Sequence, residues 1–127
     1  MTTDEWADPQ VLHRVHLLLT RMLAELDRVC RQLGVSYAVY GGTAIGAVRH
    51  KGFIPWDDDV DVMMTRDDYE RFLAEAPSLL GEELRVDNTR TMRDYPFMFS
   101  KLVLKGTLLI PEFAKDSTYR MPISLDI

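Results

Sequence analysis

The chain has 127 residues, is 46% hydrophobic and 28% charged, and carries a formal net charge of −5. This is enough chain for one domain with one core, of ordinary soluble globular composition. The acidic balance argues against a nucleic-acid partner, which would call for a basic face, but leaves room for an anionic small substrate, because bound metal ions reverse the local sign.

Residues 1–8 read as a flexible, acidic lead-in without a signal-peptide pattern. Asp8-Pro9 supplies an N-cap and a first helical position. From there Val11, Leu12, Val15, Leu18, Leu19, Met22, Leu23, Leu26, Val29, Cys30 and Leu33 recur at helical spacing, and Gly34 is a natural stop. The expectation is one long amphipathic helix over 9–33. Cys30, the single cysteine, excludes an internal disulfide, fits a reducing compartment and sits on the apolar face as a core thiol. His13 and His16 are three apart but have no third ligand nearby, so they read as solvated or boundary histidines.

Val35 to Tyr40 is β-branched and aromatic and reads as a strand. Gly41-Gly42-Thr43 breaks it, Ala44 to Arg49 suits a short helix, and His50 to Trp56 is a loop punctuated by Gly52 and Pro55. Asp59 to Met64 is a second strand. Thr65 caps a helix over about 66–76 with Tyr69, Phe72 and Leu73 inward. Leu84 to Asp87 is a third strand. Phe97 to Leu104 and Leu108 to Phe113 are expected to form a hairpin around Lys105-Gly106, and Met121 to Ile127 a last strand. The fold class is α+β: a mixed sheet with helices on one side, in a single domain over 1–127. No apolar run reaches membrane-spanning length, so a cytoplasmic protein with no transmembrane segment is expected.

Asp57, Asp58, Asp59 and Asp61 fall within five positions. Carboxylates this dense repel one another; a surface loop relieves that by pointing them into water, whereas carboxylates fixed on one face call for a cation. Residues two apart on a strand share a face, so Asp59 and Asp61 project together while Val60 and Val62 face a core. Oxygen-only ligands favour Mg²⁺ or Mn²⁺. The glycines Gly41 and Gly42 allow close approach of backbone to a phosphate, the following helix start offers free N–H groups, and Thr43 adds a hydroxyl. Asp126, an aspartate between Leu125 and Ile127, is costly there unless paired or metal-bound. Together these elements suit a two-metal site for in-line phosphoryl or nucleotidyl transfer.

The arrangement resembles the nucleotidyltransferase (polymerase-beta-like) superfamily. The stretch from Gly41 through Arg49-His50-Lys51-Gly52 and Pro55-Trp56-Asp57-Asp58-Asp59-Val60-Asp61-Val62 looks like the LicD family, which includes phosphocholine transferases and fukutin-related enzymes. The segment Tyr95 to Glu112, with Lys101, Thr107 and Glu112, and Leu125-Asp126-Ile127 also look like it. The resemblance implies a nucleotidyltransferase-like fold, a divalent metal (Mg²⁺ or Mn²⁺), a cytidine diphosphate-alcohol donor and a sugar-hydroxyl acceptor on a cell-surface glycan or glycolipid. Carried over by motif, Asp59, Asp61 and Asp126 are metal ligands and catalytic carboxylates. Gly41, Gly42 and Thr43 contact donor phosphate.

Arg49 and Lys51 either neutralise donor phosphates or balance the aspartates as surface ion pairs. Lys101 is either an inward phosphate contact or an outward strand lysine. His50 is an acid–base group or a structural hydrogen-bonding one. Trp56 stacks on a base or choline headgroup, or packs the loop onto the core. Asp57 and Asp58 hold the loop or stand behind the ligands. Family members continue past Ile127, so the chain is read as truncated there, with 35–127 a portion of the catalytic core and weak or absent turnover alone. Two alternatives remain: transfer of a nucleoside monophosphate to a small molecule, RNA or protein, and a non-catalytic nucleotide- and metal-binding module.

Overall fold

The computed structural model describes residues 8–110 and 112–127; the lead-in over 1–7 lies outside them. Helix α1 runs Pro9–Leu33. The Asp8 side chain caps it by accepting from the Gln10 N–H at 2.8 Å. At the other end Gly34 is left-handed (φ 69°), and the Val35 N–H returns to the Cys30 carbonyl at 2.9 Å, the glycine-capped closure that satisfies the last carbonyls. Val15, Leu19, Met22, Leu26, Val29 and Cys30 form its buried stripe. Burial pushes the Cys30 thiol up to about 11, with Asp27 and Asp68 adding to the shift, so it is an inert core group.

Strand β1 (Ala38–Val39) is shorter than the expected Val35–Tyr40, because Val35 is spent closing α1. Helix α2 (Gly41–Arg49) takes in the two glycines and Thr43 as its first turn. Strand β2 (Val62–Met63) pairs antiparallel with β1 and is shorter than the expected Asp59–Met64: Asp59 and Val60 are extended chain outside it, and Asp61 makes an isolated bridge to Asp126. Helix α3 (Arg66–Glu75) starts on Thr65, whose hydroxyl accepts from the Asp68 N–H at 3.3 Å, and buries Phe72 completely.

Strands β3 (Leu84–Asp87), β4 (Lys101–Leu104) and β5 (Ile123–Asp126) form a second antiparallel sheet in that order. The hairpin expected around Lys105-Gly106 does not form. Residues Leu108 to Ile110 are irregular and a short 3₁₀ turn follows at Glu112–Ala114. The edge of β4 that a second hairpin strand would need is already taken by β5, with Leu102 opposite Leu125 and Lys101 opposite Asp126. Thr107 finishes the turn instead: its hydroxyl donates to the Leu104 carbonyl at 2.6 Å and accepts from the Ile123 N–H at 2.9 Å.

The expected mixed sheet is therefore two small antiparallel sheets in an α+β fold. Their one parallel contact is a bridge between Asp61 and Asp126, supported by the Asp126 N–H donating to the Val60 carbonyl at 2.9 Å. Leu19, Leu26, Val29, Val60, Val62, Phe72, Leu102 and Leu125 share one core beneath that junction. Burying these side chains contributes about 1.5–3 kcal/mol each. The packing thus fixes where the two sheets meet, and the acidic residues ride on that seam.

Candidate metal and phosphate site

Val60 and Val62 are each 1% exposed, whereas Asp59 is exposed and Asp61 half-buried. This is the period of two read from the sequence: valines into the core, aspartates away from it. The glycine turn presses against the acidic strand. Gly41 is left-handed (φ 58°), and a Cβ there would lie 3.9 Å from Asp61 Oδ2. A Cβ on Gly42 would meet Asp57 Oδ2 at 2.6 Å, so only glycine leaves space for that carboxylate. Two hydrogen bonds lock the turn to the strand. Thr43 Oγ1 accepts from the Asp61 N–H at 3.0 Å, and the Tyr40 N–H donates to the Asp61 carbonyl at 3.3 Å. The Asp61 backbone is thereby held, leaving its carboxylate to project beside a helix start whose first N–H groups have no intrahelical acceptor.

Carboxylates from two distant chain segments meet here, the Asp57–Asp61 run and Asp126. Burial, then the charge of Asp61, then Asp57 and Asp58 raise the Asp59 carboxyl to about 7. Burial raises Asp61 too, with Asp126 and Asp57 next in effect and Lys101 opposing. Asp58 is raised by burial and by Asp57. Mutual repulsion among fixed carboxylates is what a cation relieves, and an all-oxygen donor set suits a hard divalent ion. The tightest group among the described residues is Asp57, Asp58 and Asp59, whose carboxylate oxygens come within 4.8 Å of one another. Asp61 faces Asp126 across the seam. Asp59 feels the charge of Asp61, but among the described residues the expected set Asp59, Asp61 and Asp126 does not close to that spacing; Asp57 and Asp58 stand where Asp61 and Asp126 were expected.

Lys101 points inward and is 5% exposed. Its ammonium pairs with Asp126 Oδ1 at 2.5 Å and lies 4.7 and 5.2 Å from the centres of the Phe97 and Phe99 rings. It serves here as counter-ion to the third carboxylate. Arg49, His50 and Lys51 are exposed; Arg49 Nε donates to His50 Nε2 at 3.0 Å. Neither Arg49 nor Lys51 makes an ion pair with a carboxylate among the described residues, so the surface-ion-pair reading is not what the structure has. Trp56 is 74% exposed, which corrects the reading that it packs the loop onto the core: the residue that plugs inward there is Ile54, 9% exposed.

Sequence reasoning underrated two residues. Asp57 fills the space where a Gly42 side chain would stand, which none of Asp59, Asp61 and Asp126 approaches as closely; its place in the aspartate run was the available signal. His16, on α1, is bonded through Nε2 to the Asp57 carbonyl at 2.5 Å and stacks on Phe53 at 4.1 Å. Those partners are 41 residues away along the chain, and nothing local marks the contact.

A glycine helix start laid against clustered carboxylates from separate segments is a site for a divalent ion and an anionic ligand together. The family described as LicD/FKTN/FKRP, nucleotidyltransferase domain, matches residues 34–107, more than half of the chain, and the chain belongs to that family. It is 50% identical over 62 residues to the lipopolysaccharide cholinephosphotransferase LicD of Haemophilus influenzae; that stretch is 49% of this chain and 23% of that protein. Uncharacterized proteins of Rickettsia typhi and Rickettsia prowazekii are 34% identical over 56 residues and 35% over 52, or 44% and 41% of this chain and 18% and 20% of those proteins. The matched stretch is thus less than a quarter of each relative's length. No solved structure matches. Among the described residues, no helix is long and apolar enough to cross a membrane.

Proposed function

We infer that this chain carries the donor- and metal-binding part of a transferase with a nucleotidyltransferase-like fold. The reaction is metal-dependent transfer of a phospho-alcohol, phosphocholine-like, from a cytidine diphosphate donor to a sugar hydroxyl of a cell-surface glycan or glycolipid. The observation that carries this reading is the seam itself: the glycine turn, the Asp57–Asp61 run and Asp126 come from distant parts of the chain and converge. Kinship to a cholinephosphotransferase supplies the group transferred.

Asp59, Asp61 and Asp126 would hold Mg²⁺ or Mn²⁺, with Asp57 beside them. A divalent ion there would neutralise the diphosphate and ease deprotonation of the acceptor hydroxyl. The chain's own contributions are separable from that. The first-turn N–H groups of α2 take phosphate oxygens, with Gly41 and Gly42 keeping side chains out of the way. Arg49 and Lys51, exposed and not ion-paired, are available to the donor's negative charge, Arg49 as a planar fork. Lys101 holds Asp126 in place through their ion pair. Asp126, able to serve as ligand or as base, takes the acceptor proton.

The test is product identity, using the protein at its natural length with cytidine diphosphate-choline, Mg²⁺ and acceptor glycan. Release of cytidine monophosphate with labelled choline phosphate on the glycan, lost in Asp61→Asn, is expected. Pyrophosphate release from a nucleoside triphosphate, with an inert diphosphate donor, would overturn it in favour of nucleotidyl transfer.

A further inference from the structure

Of the grooves beside the acidic run, one bordered by Thr43, Lys51 and Val60 carries a lysine, and two others differ in their chemistry. The first of these two, of about 460 Å³, is bordered by Tyr40, Met63, Arg66, Tyr69, Phe99 and Ile127. Two of its three rings, Tyr69 and Phe99, already face the chain's own cations, and Tyr40 does not. The Arg66 guanidinium sits 5.1 Å from the Tyr69 ring centre, and the Lys101 ammonium 5.2 Å from that of Phe99. A positive ligand would be repelled there.

The other groove, of about 670 Å³, lies between the first turns of α1 and the loop entering the acidic run. Among the described residues, Leu12, His13, His16, Phe53, Pro55 and Trp56 line it, with no lysine or arginine in its wall. Trp56 is 74% exposed, and its nearest ring, His50, meets it edge-on at 6.5 Å. The stacked pair His16–Phe53 forms the opposite side. The His16 bond to the Asp57 carbonyl fixes that side to the acidic loop, so Asp57 and Asp58 lie at the groove's edge.

An open indole face, apolar walls, no competing cation and a negative field from adjacent carboxylates select one ligand chemistry: a cation clothed in methyl groups. Such a cation donates no hydrogen bonds. It is recognised by ring faces and by field. A hard divalent ion would need oxygen ligands that this wall lacks, and an anion would be repelled by the aspartates. We propose that this groove receives the quaternary ammonium end of the donor, with the Trp56 ring as its principal contact and the His16–Phe53 stack as its floor. The inference rests on the transferase reading above and adds to it the subsite that selects the alcohol.

The experiment compares cytidine diphosphate-choline, cytidine diphosphate and cytidine diphosphate-ethanolamine, each with Mn²⁺, by calorimetry on the protein at natural length. It also follows the Trp56 indole N–H resonance, assigned by its loss in Trp56→Phe. Cytidine diphosphate-choline is expected to bind best and to shift that resonance. Trp56→Leu, which keeps apolar cover but removes the ring, should weaken the choline donor about tenfold and leave cytidine diphosphate unchanged. Trp56→Phe should stay within about threefold of wild type, since a smaller ring face is retained. Equal affinity of Trp56→Leu and wild type for the choline donor would overturn the inference while leaving the transferase reading standing. So would an indole shift caused by cytidine monophosphate and not by phosphocholine. If no cytidine diphosphate compound binds with Mn²⁺, the transferase reading falls and this inference falls with it.

Discussion

Replacing Lys101 by methionine isolates the electrostatics of the seam. Methionine keeps an unbranched stem of similar bulk between Phe97 and Phe99 and deletes only the ammonium. The lysine side chain is 7% exposed and its partner Asp126 22% exposed, at 2.5 Å. Removing one member of a buried pair leaves the other uncompensated, at a cost of about 3–5 kcal/mol. The partial exposure of Asp126 moves the expectation to the lower end, about 3 kcal/mol. For a domain of this size that is a fall of about 10 °C in Tm. The stranded carboxylate also faces Asp61, whose own carboxyl Lys101 helps to hold down, so repulsion across the seam grows. A divalent ion bound among these carboxylates would supply the missing positive charge. Thermal melts in chelator and in millimolar Mn²⁺ should therefore differ: a large loss of Tm for Lys101→Met in chelator, at least half recovered with Mn²⁺, and little Mn²⁺ effect in the double variant Lys101→Met/Asp61→Asn. A loss under about 1 kcal/mol in chelator, or an equal loss with and without Mn²⁺, would refute the assignment of Lys101 as counter-ion of a cation site.

Two further outcomes follow from the same geometry. The Asp59 carboxyl is raised to about 7 from an ordinary 3.8, so between those values the folded chain keeps a proton that the unfolded chain has lost. Stability then falls as pH rises through that window: the penalty is absent below about 4 and complete above about 7. Asp59 is solvent-exposed, and screening limits the penalty to about 1 kcal/mol. In chelator, Asp59→Asn should flatten the decline in Tm over pH 4–7 by a few degrees; parallel profiles for variant and wild type would contradict the shift. The glycines separate packing from chemistry. A Cβ on Gly46 would run into the Gly52 carbonyl oxygen and sit 2.9 Å from the Ile54 nitrogen, both backbone, so Gly46→Ala should cost about 2–3 kcal/mol. At Gly42 the obstacle, 2.6 Å away, is the tip of the Asp57 side chain. Gly42→Ala should therefore cost under about 1 kcal/mol yet weaken Mn²⁺ binding severalfold. Chemical denaturation and Mn²⁺ titration of both variants decide the matter, and equal destabilisation by the two would refute the distinction.

Local signals carried far in this chain. Asp8-Pro9 and Gly34 bound a helix because capping and left-handed closure depend on a few adjacent residues. Thr65 started α3 for the same reason, and Leu84–Asp87 formed the strand its pattern indicates. The alternation of Asp59 and Asp61 with Val60 and Val62 told which side chains leave the core, because successive side chains of extended chain point to opposite sides even where, as at Asp59 and Val60, no strand is paired. Partner choice was decided elsewhere. Leu108 to Ile110 has as much strand character as Ile123–Asp126, yet only one segment can occupy the free edge of β4, and the buried Leu125 won it. Lys101 was legible as a lysine in an apolar strand, but whether it faced phosphate or carboxylate depended on what lay opposite, and β5 placed Asp126 there. The tie between His16 and the acidic loop, and the exposure of Trp56, likewise arise from how α1 packs against distant chain. The residue types and faces of the site are therefore written locally in the sequence. Which carboxylates share one space, and which cation already answers them, is fixed only when long-range packing brings the two sheets together at Asp61 and Asp126.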